Sequence, residues 1–392
     1  MKWRSNKLLK YSLFFFFVCA PLESISLGES FSLAKLTSII VILAWAINGL
    51  PWPKTKMLNA SYILLGYAFL SAIWGIDIAN SFSRITAFLI PSILMAVAMS
   101  ASIKTKDDII LYMKGYVIGC MVAAFSGLYD REAMLSQAIM ASQERLTAFG
   151  ADQNALAYLM TMGVICLLSY YSGTTVKWGR ILSILLMGAF SLVILSTGSR
   201  TGLALLLASI SGFLFFQKQK NKRASFLIFI LIVLFIPFVI SFLPESIIDR
   251  FVETDQLMSS GDFSNRGDIW KNGVEAFFDD NFAFGVGYSN FSRMLIKHFN
   301  YHVASHNTYL TYLVEFGIIG LPIFLYLLFI IWQYAHSISR IAKNYFIYFY
   351  VIPLLLIMIT IETEYKRWIF ILGIMLESWY TLSKQTNSIT HK

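Results

Sequence analysis

Residues 306 to 320 read HNTYLTYLVEFGIIG, which sets a histidine and an asparagine immediately before an apolar stretch. A histidine exchanges protons near neutral pH, its ordinary pKa being about 6.5, so His306 is a candidate general base. Asn307 can cap the helix that the following residues would form. Three arginines extend the set: Arg145 in QERLTAFGADQNALAYL, Arg200 in LSTGSRTGLAL and Arg266 in SNRGDIW. Each stands near the start of a predicted helix. A guanidinium is a planar fork of donors that matches phosphate and stays charged at any relevant pH. Taken singly, an arginine of this kind serves equally at a protein surface or a lipid headgroup, and a histidine at a helix start serves equally as a cap. A helix bundle, however, can gather three such arginines around one anion.

Other chemistries find less in the chain. His298, His302 and His306 are four apart, which on a continuous helix would line one face as zinc ligands. Asn300 and the polar SHN stretch argue against an unbroken helix, and no carboxylate or cysteine is obviously placed as a further ligand. There is no DxD motif for a metal-bound sugar nucleotide, no GxxxxGK[ST] phosphate loop and no GxSxG nucleophile. Metal-free, cofactor-free chemistry is the expectation. The GVG of FAFGVGY, at 285–287, is a weak anion-nest motif and more often a turn. Glu315 lies nine residues beyond His306, about 13 Å along an ideal helix, too far for a direct hydrogen bond. A carboxylate within an apolar span nevertheless needs a partner.

The elements that must position these groups follow from composition. Hydrophobic residues make up 57% of 392, charged residues 14%, and mean hydropathy is +0.66, which predicts an integral membrane protein. Twelve apolar runs are long enough, or nearly so, to cross a hydrocarbon core of roughly 30 Å as helices, near 8–22, 31–50, 57–75, 84–102, 109–128, 154–171, 179–197, 201–216, 226–244, 308–335, 345–361 and 366–383. The first can also be read as a signal peptide, because basic MKWRSNKLLK precedes LFFFFVCA, but the later spans pair naturally only if it stays. Cys19, Cys120 and Cys166 all fall in spans and define no disulfide framework.

With the N-terminus inside, the inner segments hold 18 of the 31 Lys and Arg residues and the outer connections 11, which favours cytoplasmic N- and C-termini. The basic excess thus reports topology, and no basic patch with stacking aromatics points to nucleic acid. Two sizeable connections, 129–153 and 245–305, then face outward. The chain reads as a single polytopic membrane domain over 1–392, with 245–305 as a large outer loop. Within it, SNRGDIWKNGVEAFF predicts a helix opening at Asn265. Ile269, Trp270, Gly273, Val274, Phe277 and Phe278 share its apolar face, either lying on the bilayer or packed on the bundle.

These residues resemble the O-antigen ligase and polymerase superfamily of bacterial envelope glycan assembly. His306-Asn307, nine residues, then Gly317 and Gly320 match the ligase pattern H[NSQ], nine of anything, G, two of anything, and G, T or Y. RLTAFGADQNALA around Arg145 and Asn154, STGSRTG around Arg200, SNRGDIW around Arg266 and NFAFGVGYSNF follow in the superfamily's order. The resemblance covers roughly 145–320.

It implies an all-α, GT-C-like integral membrane fold of about 12 transmembrane helices, with a periplasmic cap between spans 9 and 10, in the bacterial inner membrane. The implied reaction moves a glycan from undecaprenyl diphosphate to a sugar hydroxyl of lipid A-core at the periplasmic face, inverting and without metal or cofactor. His306 would be the base, with Arg200 and Arg266 stabilising the departing diphosphate. Arg145, Asn154, Asn307 and Glu315 would contact substrate. The partners implied are the lipid-linked donor, the lipid A-core acceptor and membrane lipids. A polysaccharide polymerase uses the same donor and much of the same pattern; the histidine motif favours the ligase. A transporter or lipid-glycan flippase remains a reading from a different class, with Gly317, Gly320 and Pro322 able to break span ten.

Overall fold

The computed structural model describes residues 7–22, 25, 32–137, 153–216, 266–361 and 366–390. Among them the architecture is helical with no strand element. The order is α1 (Lys7–Cys19), α2 (Leu33–Ile47), α3 (Lys56–Ile73), α4 (Ile78–Phe88), a π-helical turn at Leu89–Leu94, α5 (Met95–Ser102), α6 (Lys106–Gln137), α7 (Gln153–Gly173), α8 (Lys177–Ser196) and α9 (Arg200–Phe216). Then come α10 (Arg266–Asp279), α11 (Phe291–Phe299), α12 (Thr308–Ala342), a 3-10 turn at Tyr345–Tyr350, α13 (Ile352–Ile357) and α14 (Lys366–Thr390).

Six stretches are long and apolar enough to cross a membrane: Lys56–Ile73, Ile78–Ser102, Lys106–Ser126, Gln153–Gly173, Lys177–Ser196 and Thr308–Ala342. The expected twelve are therefore not all matched. The run at 226–244 lies outside the described residues. At 345–361 the chain forms a 3-10 turn and a short helix rather than one span, because Pro353 can start a helix but cannot continue one. The first helix has 13 residues, about 20 Å at 1.5 Å per residue, too short for the whole core. The fourth begins earlier than its apolar run, since Asp77 caps Asn80 N at 2.9 Å and opens the helix at Ile78.

Hydrogen bonds between remote segments join helix ends that strict alternation places on the same side. At one end, Ser199 Oγ donates to Asn154 Oδ1 (2.7 Å), Thr308 Oγ1 to the Ile361 carbonyl (2.6 Å) and Asn290 Nδ2 to Ser81 Oγ (2.8 Å). At the other, Lys10 pairs with Asp108 (2.5 Å), Tyr350 donates to Ser169 Oγ (2.5 Å), and Glu377 accepts from Lys56 N (2.8 Å) and Tyr334 Oη (2.6 Å). The apolar core runs between these two polar layers.

A second, smaller core lies at the first end. Helix α10 buries Ile269, Gly273, Ala276 and Phe277 against Phe291, Met294 and Leu295 of α11 and Leu310 and Val314 of α12. Helix α10 thus packs on the bundle through this face. The buried stripe is also rotated from the expected one, because Ala276 is inside while Val274 (40% exposed) and Phe278 (64% exposed) point out. Lys297 and His298 of α11 clasp Asp280 just past α10. Burial alone would raise the Asp280 carboxyl, but the hydrogen bonds from Lys297 and His298 outweigh it and hold the group below the usual carboxylate range.

Candidate active site

His306 stands at the apex of a turn fixed on both sides. Its backbone has φ +50°, a left-handed conformation that few non-glycine residues adopt and that histidine tolerates better than most. Ser305, fully buried, supplies the restraint: its Oγ receives Asn307 N (3.0 Å), donates to the Asn307 carbonyl (3.0 Å) and lies 2.5 Å from Thr311 Oγ1. Asn307 then caps α12, Oδ1 accepting from Leu310 N at 3.1 Å, as its position predicts. The His306 side chain is half-buried, and among the described residues none hydrogen-bonds to its ring. A left-handed apex between two bonded neighbours therefore presents the imidazole at the rim of the bundle.

The same turn is tied to α10. Trp270 Nε1 donates to the Ser305 carbonyl at 2.9 Å, and Trp270 is one helical turn beyond Arg266. One helix thus carries an arginine in its first turn and grips the loop that bears the histidine. Sequence reading placed Trp270 only on an apolar stripe, and it gave Ser305 and Thr311 no role. The one signal for Ser305 is a small hydroxyl residue directly before a His-Asn pair, which reads as polar loop until its partners are known. Replacing Trp270 with Phe keeps the apolar contact and removes the hydrogen bond. We expect turnover to fall about tenfold with membrane insertion unchanged, measured as initial rate against the amount of folded protein.

Arg200 opens α9, and Ser199 before it caps that helix by accepting from Gly202 N at 3.0 Å. Because Ser199 Oγ also donates to Asn154, the structure brings Asn154 and the Arg200 segment together. Arg200, Arg266 and Asn154 are each half-buried, and each sits within the first turn of its helix, where orphan N–H groups and the helix dipole favour an anion. Helix α13 contacts both α7 and α9, and just past it the Met358 carbonyl accepts from Thr308 N at 2.7 Å, so one short helix links the α7/α9 pair to the start of α12. Arg145 lies outside the described residues.

Glu315 sits elsewhere. It is 2% exposed, and its Oε1 accepts from Phe291 N at 3.4 Å, so its carboxylate faces the start of α11 rather than His306. Beside it α12 is broken at Gly317 (φ +68°, ψ −176°), a conformation open essentially to glycine alone. The break is satisfied by an exchange. Ile318 N and Ile319 N turn to the Phe282 and Ala283 carbonyls at 3.1 Å each, while the Val314 and Glu315 carbonyls receive Val286 N and Gly287 N at 3.0 Å each. These are the four groups that an unbroken helix would pair internally. Tyr67 Oη adds a donor to the Phe316 carbonyl at 2.9 Å. Such irregular backbone within a span persists only when its polar groups find partners in the protein.

Two alternatives that the sequence disfavours fall away. The GVG motif is not an anion nest, because Gly285 N bonds to the Asn281 carbonyl (2.7 Å) and the next two N–H groups bond to α12. Nor do His298, His302 and His306 share a helix face. Asn300 ends α11 in the left-handed conformation, so the latter two lie in non-helical backbone, and His298 is held by Asp280 at 2.8 Å.

Six helices long and apolar enough to cross a membrane give the chain the character of a polytopic membrane protein. Residues 182–325 match the family model described as O-antigen ligase. The matched segment takes in Arg200, Arg266, His306, Asn307 and Glu315, as well as Gly317 and Gly320 of the motif; Arg145 and Asn154 precede it. No curated protein matches the chain.

Proposed function

We propose that the chain is an O-antigen ligase, transferring a glycan from undecaprenyl diphosphate to a sugar hydroxyl of lipid A-core on the periplasmic side of the inner membrane. The observation that supports this reading is the buttressed left-handed turn that carries His306 and is tied through Trp270 to the helix that Arg266 opens. The His306 imidazole takes the proton of the acceptor hydroxyl as that oxygen bonds to the anomeric carbon. The bond from that carbon to the diphosphate oxygen breaks, and its electron pair leaves with the lipid diphosphate. Arg200 and Arg266, with Arg145, stabilise the charge that develops there. A single displacement of this kind inverts the anomeric centre. Asn154 orients the Arg200 turn through Ser199, Asn307 holds the His306 turn and can reach the acceptor, and Glu315 serves by fixing the loop at 285–291.

The energy is already stored in the donor's diphosphate, which suits a chain without a nucleotide loop. A polymerase of the same superfamily would use the same donor and pass the glycan to another lipid-linked repeat. A deletion strain tests this directly. Loss of a ligase leaves bare core and accumulated lipid-linked polymer, whereas core carrying one repeat would assign the polymerase. Arg200→Lys keeps the charge and loses the bidentate fork, so we expect transfer to fall about a hundredfold in an assay with purified donor and acceptor. Normal turnover in that variant would mean that a point charge suffices.

A further inference from the structure

A narrow, partly open apolar cavity of about 50 Å³ lies between α1, α6, α7, α14 and the 3-10 turn. On α14 it is lined by Trp368, Ile371, Leu372, Met375, Leu376 and Trp379, one continuous stripe at helical spacing. On α7 it meets Tyr158, Met162 and Cys166, again successive turns of one face. The space is therefore elongated along the helices, hence along the membrane normal. Trp368 and Trp379 are eleven residues apart, about 16 Å at 1.5 Å per residue. That is close to half of the roughly 30 Å hydrocarbon core, the depth that one chain occupies in one leaflet.

Three properties of the lining define the guest. It is almost wholly aliphatic, aromatic and sulfur-bearing, and methionine at three positions lets it adapt to an irregular chain. No charged side chain lines it among the described residues; the buried Arg367, next to Trp368 in the chain, is not part of the lining. At the end nearer the candidate site, Trp368 is 7% exposed and its indole N–H is buried without a hydrogen-bond partner among the described residues. A buried donor in that state favours a guest bearing one neutral acceptor beside its hydrocarbon.

We propose that this cavity is a binding site for a single acyl chain of a membrane lipid, with the chain along α14 and its ester or amide carbonyl at Trp368. The unpaired N–H and the uncharged lining select an acyl chain over a prenyl diphosphate. The site is separate from the polar end at His306, and its existence does not depend on the reaction proposed above.

The test is photolabelling of the full chain in vesicles of phosphatidylethanolamine and phosphatidylglycerol doped with a phospholipid carrying a diazirine in its acyl tail, adducts being mapped by mass spectrometry. The expected result is adducts concentrated on Met162, Met375 and their neighbours, undiminished by excess polyprenyl diphosphate. Excess acylated lipid A that abolishes labelling would identify the acceptor's chains as the source; labelling that persists identifies bilayer phospholipid, and either outcome supports an acyl site. Met375→Phe should fill the space and cut labelling about tenfold, and Trp368→Phe, which keeps the fold and drops the donor, about fivefold. Adducts spread evenly over lipid-facing helices, displacement by polyprenyl diphosphate, or unchanged labelling in both variants would overturn the proposal.

Discussion

Replacing His306 with Ala is expected to leave a folded, membrane-inserted protein whose glycan transfer is slower by about 10²–10⁴-fold, the range typical of losing a positioned general base. The architecture makes this separation of activity from folding a sharp expectation. The hydrogen bonds that hold the turn come from Ser305, Asn307, Thr311 and Trp270, and none comes from the His306 side chain. Alanine also meets some cost at φ +50°, of order 1 kcal/mol, which is small beside the rate effect. Initial rates with purified donor and acceptor, set against thermal unfolding of the same preparation, separate the two. Activity within threefold of the parent chain would remove the imidazole from the chemistry.

The second large effect is structural. Gly317→Ala should abolish the folded state in detergent or reduce it severely, because two penalties coincide. The backbone at φ +68° and ψ −176° costs a side-chain-bearing residue about 1–3 kcal/mol. In addition a Cβ there would fall 2.5 Å from Gly285 N and closer still to the Ala283 carbonyl, backbone atoms that cannot swing aside. Relief would require the loop at 282–287 to withdraw, which breaks the four exchanged hydrogen bonds within a span. Gly66→Ala on α3 is the matched control, since nothing lies within 4 Å of a Cβ there and alanine is the better helix former. Monodispersity after solubilisation, compared across the two variants, reads the difference. A well-folded Gly317→Ala protein would show that the break in α12 is dispensable.

These two positions also show what the sequence discloses. The spacing of His306, Asn307, Gly317 and Gly320 is visible as a pattern, and Asn307 as a cap follows from local chemistry alone. Why Gly317 must be glycine is not local, for its reason is the loop at 282–287, some thirty residues earlier, pressed against it. The two glycine motifs are one device seen from both sides. Hydropathy likewise locates the apolar runs, yet it cannot tell that 345–361 splits or that the helix entering the run at 84–102 begins at Ile78. The α10 face was misassigned by part of a turn because Val274 and Phe278 are as apolar as the residues that are buried, and periodicity cannot say which side meets the bundle. Trp270 and Ser305 were invisible because their partnership spans 35 residues.

The reading of this chain as a transferase rests on a covalent event, and one reconstitution addresses it. The purified protein is placed in liposomes with undecaprenyl-diphosphate-linked glycan and lipid A-core, and the products are separated by mass. The account predicts glycan joined to core and free undecaprenyl diphosphate released in equal amount. Lengthened glycan still on the lipid diphosphate, or glycan moved across the bilayer with no new bond, would contradict it.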